Sequence, residues 1–164
     1  MLFRSGPLAV ALAERHPVIA LVFCNSFIVA PRWRGLRWLA LPILFKLAVP
    51  RFLLRRYMLG ATADDTLVRE VATAIASVPA AVLASRLRSV LSLDDAIAFA
   101  RCPVPMLYVR ANEDRLVPES AWRRMVMTRP MSTARVPGPH LLLQANPAGT
   151  WAAIAPFLDS LPAV

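Results

Sequence analysis

An acid and a histidine near the C-terminus are the side chains whose types and spacing best fit chemistry. Asp114 lies in Asn112-Glu113-Asp114-Arg115-Leu116-Val117-Pro118, and His140 closes Val136-Pro137-Gly138-Pro139-His140. Each stretch follows a short apolar run of strand length. A histidine acting as a base in acyl transfer needs a carboxylate to fix its tautomer and to stabilise the imidazolium that forms. Taken singly, Asp114 is equally well explained as a turn or capping residue, and His140 as a packed histidine satisfying a backbone carbonyl. Together, an acid and then a histidine on successive loops form a candidate general acid–base pair.

Other reactive side chains fit less well. His16 reads as a helix-end residue. Neither histidine has cysteine or carboxylate partners at metal-ligand spacing, so no zinc site is expected, and no cofactor is implied. Cys24 ends one apolar run and Cys102 precedes another. Two such cysteines make no disulfide framework, and buried, reduced thiols suit a cytoplasmic protein. Ser26 follows the first strand-like run. No serine in a nucleophile-elbow context precedes the acid and the histidine.

The elements that must position this pair alternate in type. Pro7–Arg15 reads as a helix with Leu8 and Leu12 on its apolar face, stopped by His16-Pro17. Val18–Phe23 is a continuous apolar run, as in a parallel strand covered on both faces. Between Pro31 and Ala100 the pattern turns helical. Phe52–Leu59 is a short segment ended by Gly60. Asp64 and Asp65 start a helix that runs to Val78, Pro79 opens Ala80–Leu91, and Asp94 and Asp95 start another. Pro105–Val109 is a second strand, Pro118 opens a helix through Met127, and Ala134–Pro137 closes a third strand. Pro147–Leu158 is a final helix with Trp151, Ile154, Ala155 and Leu158 on one face, predicted to kink or end near Ala155 because of Pro156. This order predicts an α/β fold of about three parallel strands. Residues 1–30 and 101–164 form its core and residues 31–100 a helical insertion. In an open parallel sheet, functional groups collect beyond the carboxyl ends of the strands, where Asp114 and His140 fall.

Composition sets the bounds. At 164 residues with 57% apolar content, the chain suffices for one domain with a modest core. The formal charge is +9, and Lys46 is the only lysine. Arg32, Arg34, Arg37, Arg51, Arg55 and Arg56 gather in one region, but apolar residues separate most of them. No aromatic–basic platform or nucleic-acid motif accompanies them, so nucleic acid is not expected as a partner. The start is not a signal peptide. The most membrane-like stretch, Leu36–Leu54, is interrupted by Pro42, Lys46, Pro50 and Arg51, short of the ~20 apolar residues a span needs. Association with a membrane surface stays open.

The two late stretches also carry a resemblance. Pro105 to Pro118 resembles the seventh strand and acid loop of the α/β-hydrolases. Gly138-Pro139-His140-Leu141-Leu142-Leu143-Gln144-Ala145-Asn146-Pro147 resembles their histidine loop and the start of their last helix. Val18–Phe23 would be their sixth strand, residues 31–100 their helical cap, and Ser5-Gly6-Pro7-Leu8-Ala9 the start of the helix after the nucleophile elbow. The resemblance implies a serine hydrolase acting on an ester or related carboxylic derivative, with Asp114 orienting His140. An apolar lining from Trp38, Phe45, Phe52 and Met58 would suit a small apolar substrate, although core packing serves most of these side chains equally well.

The departures from the family pattern are specific. The same alignment puts Phe3 where the nucleophile serine should stand, and phenylalanine cannot attack a carbonyl. Ser5 is a poor substitute, with Pro7 where the elbow wants a small glycine. The first five strands and the loop that donates half of the oxyanion hole have no counterpart. The expectation is a fragment of a hydrolase, inactive as written. The alternatives are a non-catalytic remnant or interaction module, or a basic protein on anionic membranes.

Overall fold

The computed structural model describes residues 5–30, 41–47 and 49–162. Phe3, Arg32, Trp33, Arg34, Arg37 and Trp38 lie outside the described residues. Three strands, β1 (Leu21–Cys24), β2 (Met106–Ala111) and β3 (Ser132–Val136), form one sheet in the order β1-β2-β3. Both pairings are parallel. Leu21 stands opposite Met106 and Cys24 opposite Val109, while Leu107 stands opposite Ser132 and Ala111 opposite Val136. The carboxyl ends of all three strands therefore share one edge of the sheet.

The central strand explains the layering. All six residues of β2 are buried, so alternate side chains need cover on opposite faces. On one face Met106 and Tyr108 join Leu21 and Phe23 of β1. They pack under Val10 of α1 (Ser5–Ala13), Phe99 of α5 (Ala96–Arg101) and Met125 of α6 (Glu119–Thr128). The Phe23 and Phe99 rings meet edge to face with centroids 5.8 Å apart, a favoured aromatic geometry. On the other face Leu107, Val109, Ala111 and Val136 pack with Leu142 of the short α7 (Leu142–Ala145). Ala153, Ile154 and Phe157 of α8 (Pro147–Asp159) complete that layer.

Among the described residues, the regular elements between β1 and α5 are all helical. A 3₁₀ turn (Pro42–Phe45) precedes α2 (Arg51–Leu54), which runs directly into a π-helical turn (Arg55–Leu59) ended by Gly60 at φ 86°. Then come α3 (Asp65–Ala76) and α4 (Ala80–Leu91). The Asp64 side chain caps α3 by accepting from the Thr66 N–H at 3.1 Å. The Arg55 guanidinium donates to Asp65 and holds that exposed carboxyl below its ordinary range. Leu54, Met58, Leu59 and Val68 form a separate small core. Among the described residues no single helix is long and apolar enough to cross a membrane.

Several expectations need correction. The strands are shifted. The first begins at Leu21 rather than Val18, the second reaches Ala111, and the third starts at Ser132. On α1 the buried side is Gly6 and Val10, with Ala9 and Ala13 against the core, whereas Leu8 and Leu12 are exposed. A Cβ on Gly6 would come within 2.4 Å of the Ser26 Oγ, so the helix approaches the loop after β1 on its smallest face. On α8 the inward residues are Thr150, Ala153, Ile154 and Phe157, and Trp151 is exposed. The buried Thr150 hydroxyl is satisfied within the helix, donating to the Asn146 carbonyl at 2.6 Å. The helix runs through Pro156 to Asp159. Pro156 lies in its final turns, where the missing N–H costs one bond and a further turn still closes from Ser160 to the Pro156 carbonyl.

Candidate active site

The acid loop turns on its own aspartate. Asp114 Oδ1 accepts from the backbone N–H of Leu116 at 2.8 Å and of Val117 at 3.0 Å. This fixes the carboxylate and leaves Oδ2 free to reach elsewhere. The capping role read from sequence is therefore real, and it does not exclude a second role for the other oxygen.

The histidine loop is fastened to the acid loop through the main chain. Asn112 N–H donates to the Val136 carbonyl and Glu113 N–H to the Gly138 carbonyl, each at 3.0 Å. Gly138 adopts φ 143°, and a Cβ there would stand 2.9 Å from a Leu142 methyl, so this turn accepts no larger residue without movement.

Beyond the turn, His140 Nδ1 lies 3.0 Å from Asp114 Oδ2. The Asp114 side chain has no exposed surface and that of His140 keeps 11%. With the proton on Nδ1, His140 donates to the carboxylate and its other nitrogen is left as an acceptor. An oriented imidazole with a free basic nitrogen is the arrangement that removes a proton from a hydroxyl during acyl transfer.

His140 borders a recess of about 170 Å³, whose wall includes Ser5, Cys24, Asn25, Ser26 and Leu142. Cys24 is not a poised nucleophile, because burial pushes its thiol up and keeps it neutral. Ser5 is the first residue of α1, and Ser26 lies in the loop after β1. Phe45 and Phe52 do not join the recess, and Met58 packs in the small helical core. His16 is exposed. Among the described residues no three His, Cys, Asp or Glu side chains are grouped to hold a metal ion.

Asn25 was missed by the reading of the sequence. It is 3% exposed and, among the described residues, the one non-glycine with positive φ, at 46°. Its side chain accepts from Ala111 N–H at 2.7 Å and donates to the His140 carbonyl at 2.8 Å. The available signal was an asparagine directly after an unbroken apolar strand, a residue type that tolerates the left-handed turn needed to leave a sheet.

No family model matches the sequence, and no curated protein matches it. Solved structures do. A thermophilic esterase from Thermogutta terrifontis superposes with a TM-score of 0.75 at 20% identity, over 96% of this chain and 62% of its own. A hydrolase from Pseudomonas aeruginosa gives 0.76 at 17% identity, over 94% and 62%. The enol-lactonase from Burkholderia xenovorans gives 0.74 at 17% identity, over 97% and 64%. The chain thus spans under two thirds of the length of these structures. At such identities the likeness speaks for the fold: the three-stranded parallel sheet and its flanking helices are a partial α/β-hydrolase fold.

Proposed function

We propose that these residues supply the acid and the base of a serine hydrolase acting on an ester or related carboxylic derivative. Asp114 orients His140, and His140 takes the proton of a serine hydroxyl and returns it to the leaving group. The observation that carries this reading is the 3.0 Å contact between His140 Nδ1 and an Asp114 carboxylate already fixed by two backbone N–H groups. Phe3 stands at the position that corresponds to the nucleophile, so the chain as given is inactive. Residues 31–100 act as a lid. Nucleic acid is not a partner, and free thiols at Cys24 and Cys102 fit the cytoplasm.

Fluorophosphonate labelling followed by peptide mapping tests this. The 164-residue chain should take up no label. A polypeptide extended through any in-frame codons upstream of Met1 and carrying Phe3→Ser should be labelled on that serine. Label on Ser5 or Ser26 of the unextended chain would overturn the missing nucleophile.

A second reading, an interaction module or remnant, draws on the outer edge of β1. There Val18, Ile19, Val22, Leu158 and Leu161 line an apolar groove of about 600 Å³ beside the edge of β1 that no strand among the described residues pairs, a template for pairing with another chain. Soluble monomeric behaviour at high concentration would count against it. The membrane-surface alternative draws on Ile43, Leu44, Leu47 and Phe52, exposed around Lys46 and Arg51. It requires liposome binding that survives high salt.

A further inference from the structure

The peptide group joining His140 to Leu141 is held on both of its polar atoms. Its carbonyl accepts from Asn25 Nδ2 at 2.8 Å, and its N–H donates to the Met58 carbonyl at 2.8 Å. One bond comes from the end of β1 and the other from the π-helical turn between β1 and β2. That turn is packed here, since Leu141 sits against the Leu54, Met58 and Val68 cluster. Rotation of this peptide would swing the Cα–Cβ bond of His140. A hydrogen bond of 3.0 Å to Asp114 does not survive a displacement of about 1 Å.

Asn25 has the chemistry for this position and few residues share it. Its backbone N–H donates to the Val109 carbonyl at 3.1 Å. Its side chain meets a donor, Ala111 N–H, and an acceptor, the His140 carbonyl, at the same time. A planar amide answers both. A carboxylate would answer the donor and repel the carbonyl. Glycine would accept the φ of 46° and answer neither. The site is buried, so water does not readily replace a lost partner.

We propose that Asn25 is the positioning residue for His140: through the 140–141 carbonyl it sets the ring at hydrogen-bond distance from Asp114. Asn25 touches no reacting atom and acts only through the main chain of the histidine loop. The inference rests on the reading of Asp114 and His140 as an acid–base pair, and it adds a separate claim about what aims the pair.

Proton NMR of the full chain separates the two claims without any turnover. The unsubstituted protein should show a downfield imidazole Nδ1–H signal from His140, lost in Asp114→Asn. If Asp114→Asn leaves the signal unchanged, or none exists, the pair itself fails. If the pair stands, Asn25→Asp should lose or broaden the His140 signal while the Ala111 amide keeps its exchange protection, because the acceptor is retained and the donor is not. Asn25→Gly should lose both. A His140 signal at its original position in Asn25→Asp would overturn the positioning role. Loss of Ala111 protection in Asn25→Asp would reduce Asn25 to a strand-end staple and overturn the role too. Should both variants unfold, the unsubstituted chain decides. A slowly exchanging Asn25 side-chain proton is expected, and exchange as fast as in an unstructured peptide would overturn the proposal.

Discussion

Phe99 and Tyr108, in the layers around the sheet, have no exposed surface, whereas Phe52 and Leu47 in the segment between β1 and α3 are 67% and 76% exposed. Both regions are rich in apolar residues, so composition does not separate them. The difference lies in element length and partners. β2 has a strand on each side and a helical layer on each face. The 3₁₀ turn has four residues, none of them buried, and the helix formed by α2 and the π-helical turn buries Leu54, Met58 and Leu59 while Phe52 stays exposed. The sheet is therefore the part whose geometry is fixed by burial, and it carries Asp114 and His140 at its edge. The helical segment meets that edge at the bond from Leu141 N–H to the Met58 carbonyl.

The largest expected contrast is in the cost of truncation. Phe99→Ala should destabilise the chain by about 3–5 kcal/mol in urea unfolding. Phe52→Ser should stay within about 0.5 kcal/mol. A loss above about 2 kcal/mol for Phe52→Ser would mean that the helical segment is packed as firmly as the sheet, and the contrast would fail.

Smaller effects sharpen the same contrast. Tyr108 donates to the Ser26 carbonyl at 2.7 Å under the α1 layer. Tyr108→Phe should cost about 1–2 kcal/mol by leaving that acceptor unpaired. Asn146 caps α8 through Gly149 N–H and also donates to the Pro137 carbonyl at 2.9 Å. Asp64 caps α3 alone. Each cap changed to Ala should cost about 1 kcal/mol, with Asn146 the costlier because it also holds the histidine loop. Equal values would show that the Pro137 bond contributes nothing to folding.

The smallest effects concern pH, and the two regions should respond at opposite ends. Asp65 has its carboxyl lowered by Arg55. Its contribution is present above the unfolded value of about 3.9 and lost as pH falls through the folded one. Asp65→Asn should flatten that acid limb only slightly, because the pair is exposed. Burial raises both Cys24 and Tyr108. The folded state then holds more protons than the unfolded chain above about pH 8.5, so stability falls as pH rises. Cys24→Ala should reduce the first part of that alkaline slope. An unchanged slope would show that the buried thiol is not linked to folding.

Much of the geometry of the candidate site was legible because it rests on local sequence. Asp114 makes its turn with residues two and three positions on, and an apolar run before each loop marks a strand. The parallel order followed from strands separated by helical stretches. What was not legible depends on long-range contact. Leu8 and Leu12 look like the inner face of α1, but close approach at Gly6 turned the helix to Ala9, Val10 and Ala13. Trp151 looks like an anchor of α8, but Ala153, Ile154 and Phe157 face the sheet and Trp151 is exposed. Asn25 is separated from His140 by 115 positions, and no periodicity connects an asparagine to a carbonyl that far away. The four-residue α7 is not legible as a helix, because a single turn has too few residues to show a period.

The most direct measurement is ester hydrolysis by the polypeptide that contains these residues together with any in-frame upstream codons and Phe3→Ser, compared with its Asp114→Asn and His140→Ala variants. If Asp114 and His140 are the acid and base, a p-nitrophenyl ester should be turned over, and kcat should fall by about 10⁴ or more in each variant. Turnover that stays within about tenfold of the Phe3→Ser protein in His140→Ala would contradict the assignment, since a base that can be removed at so little cost is not the group that moves the proton.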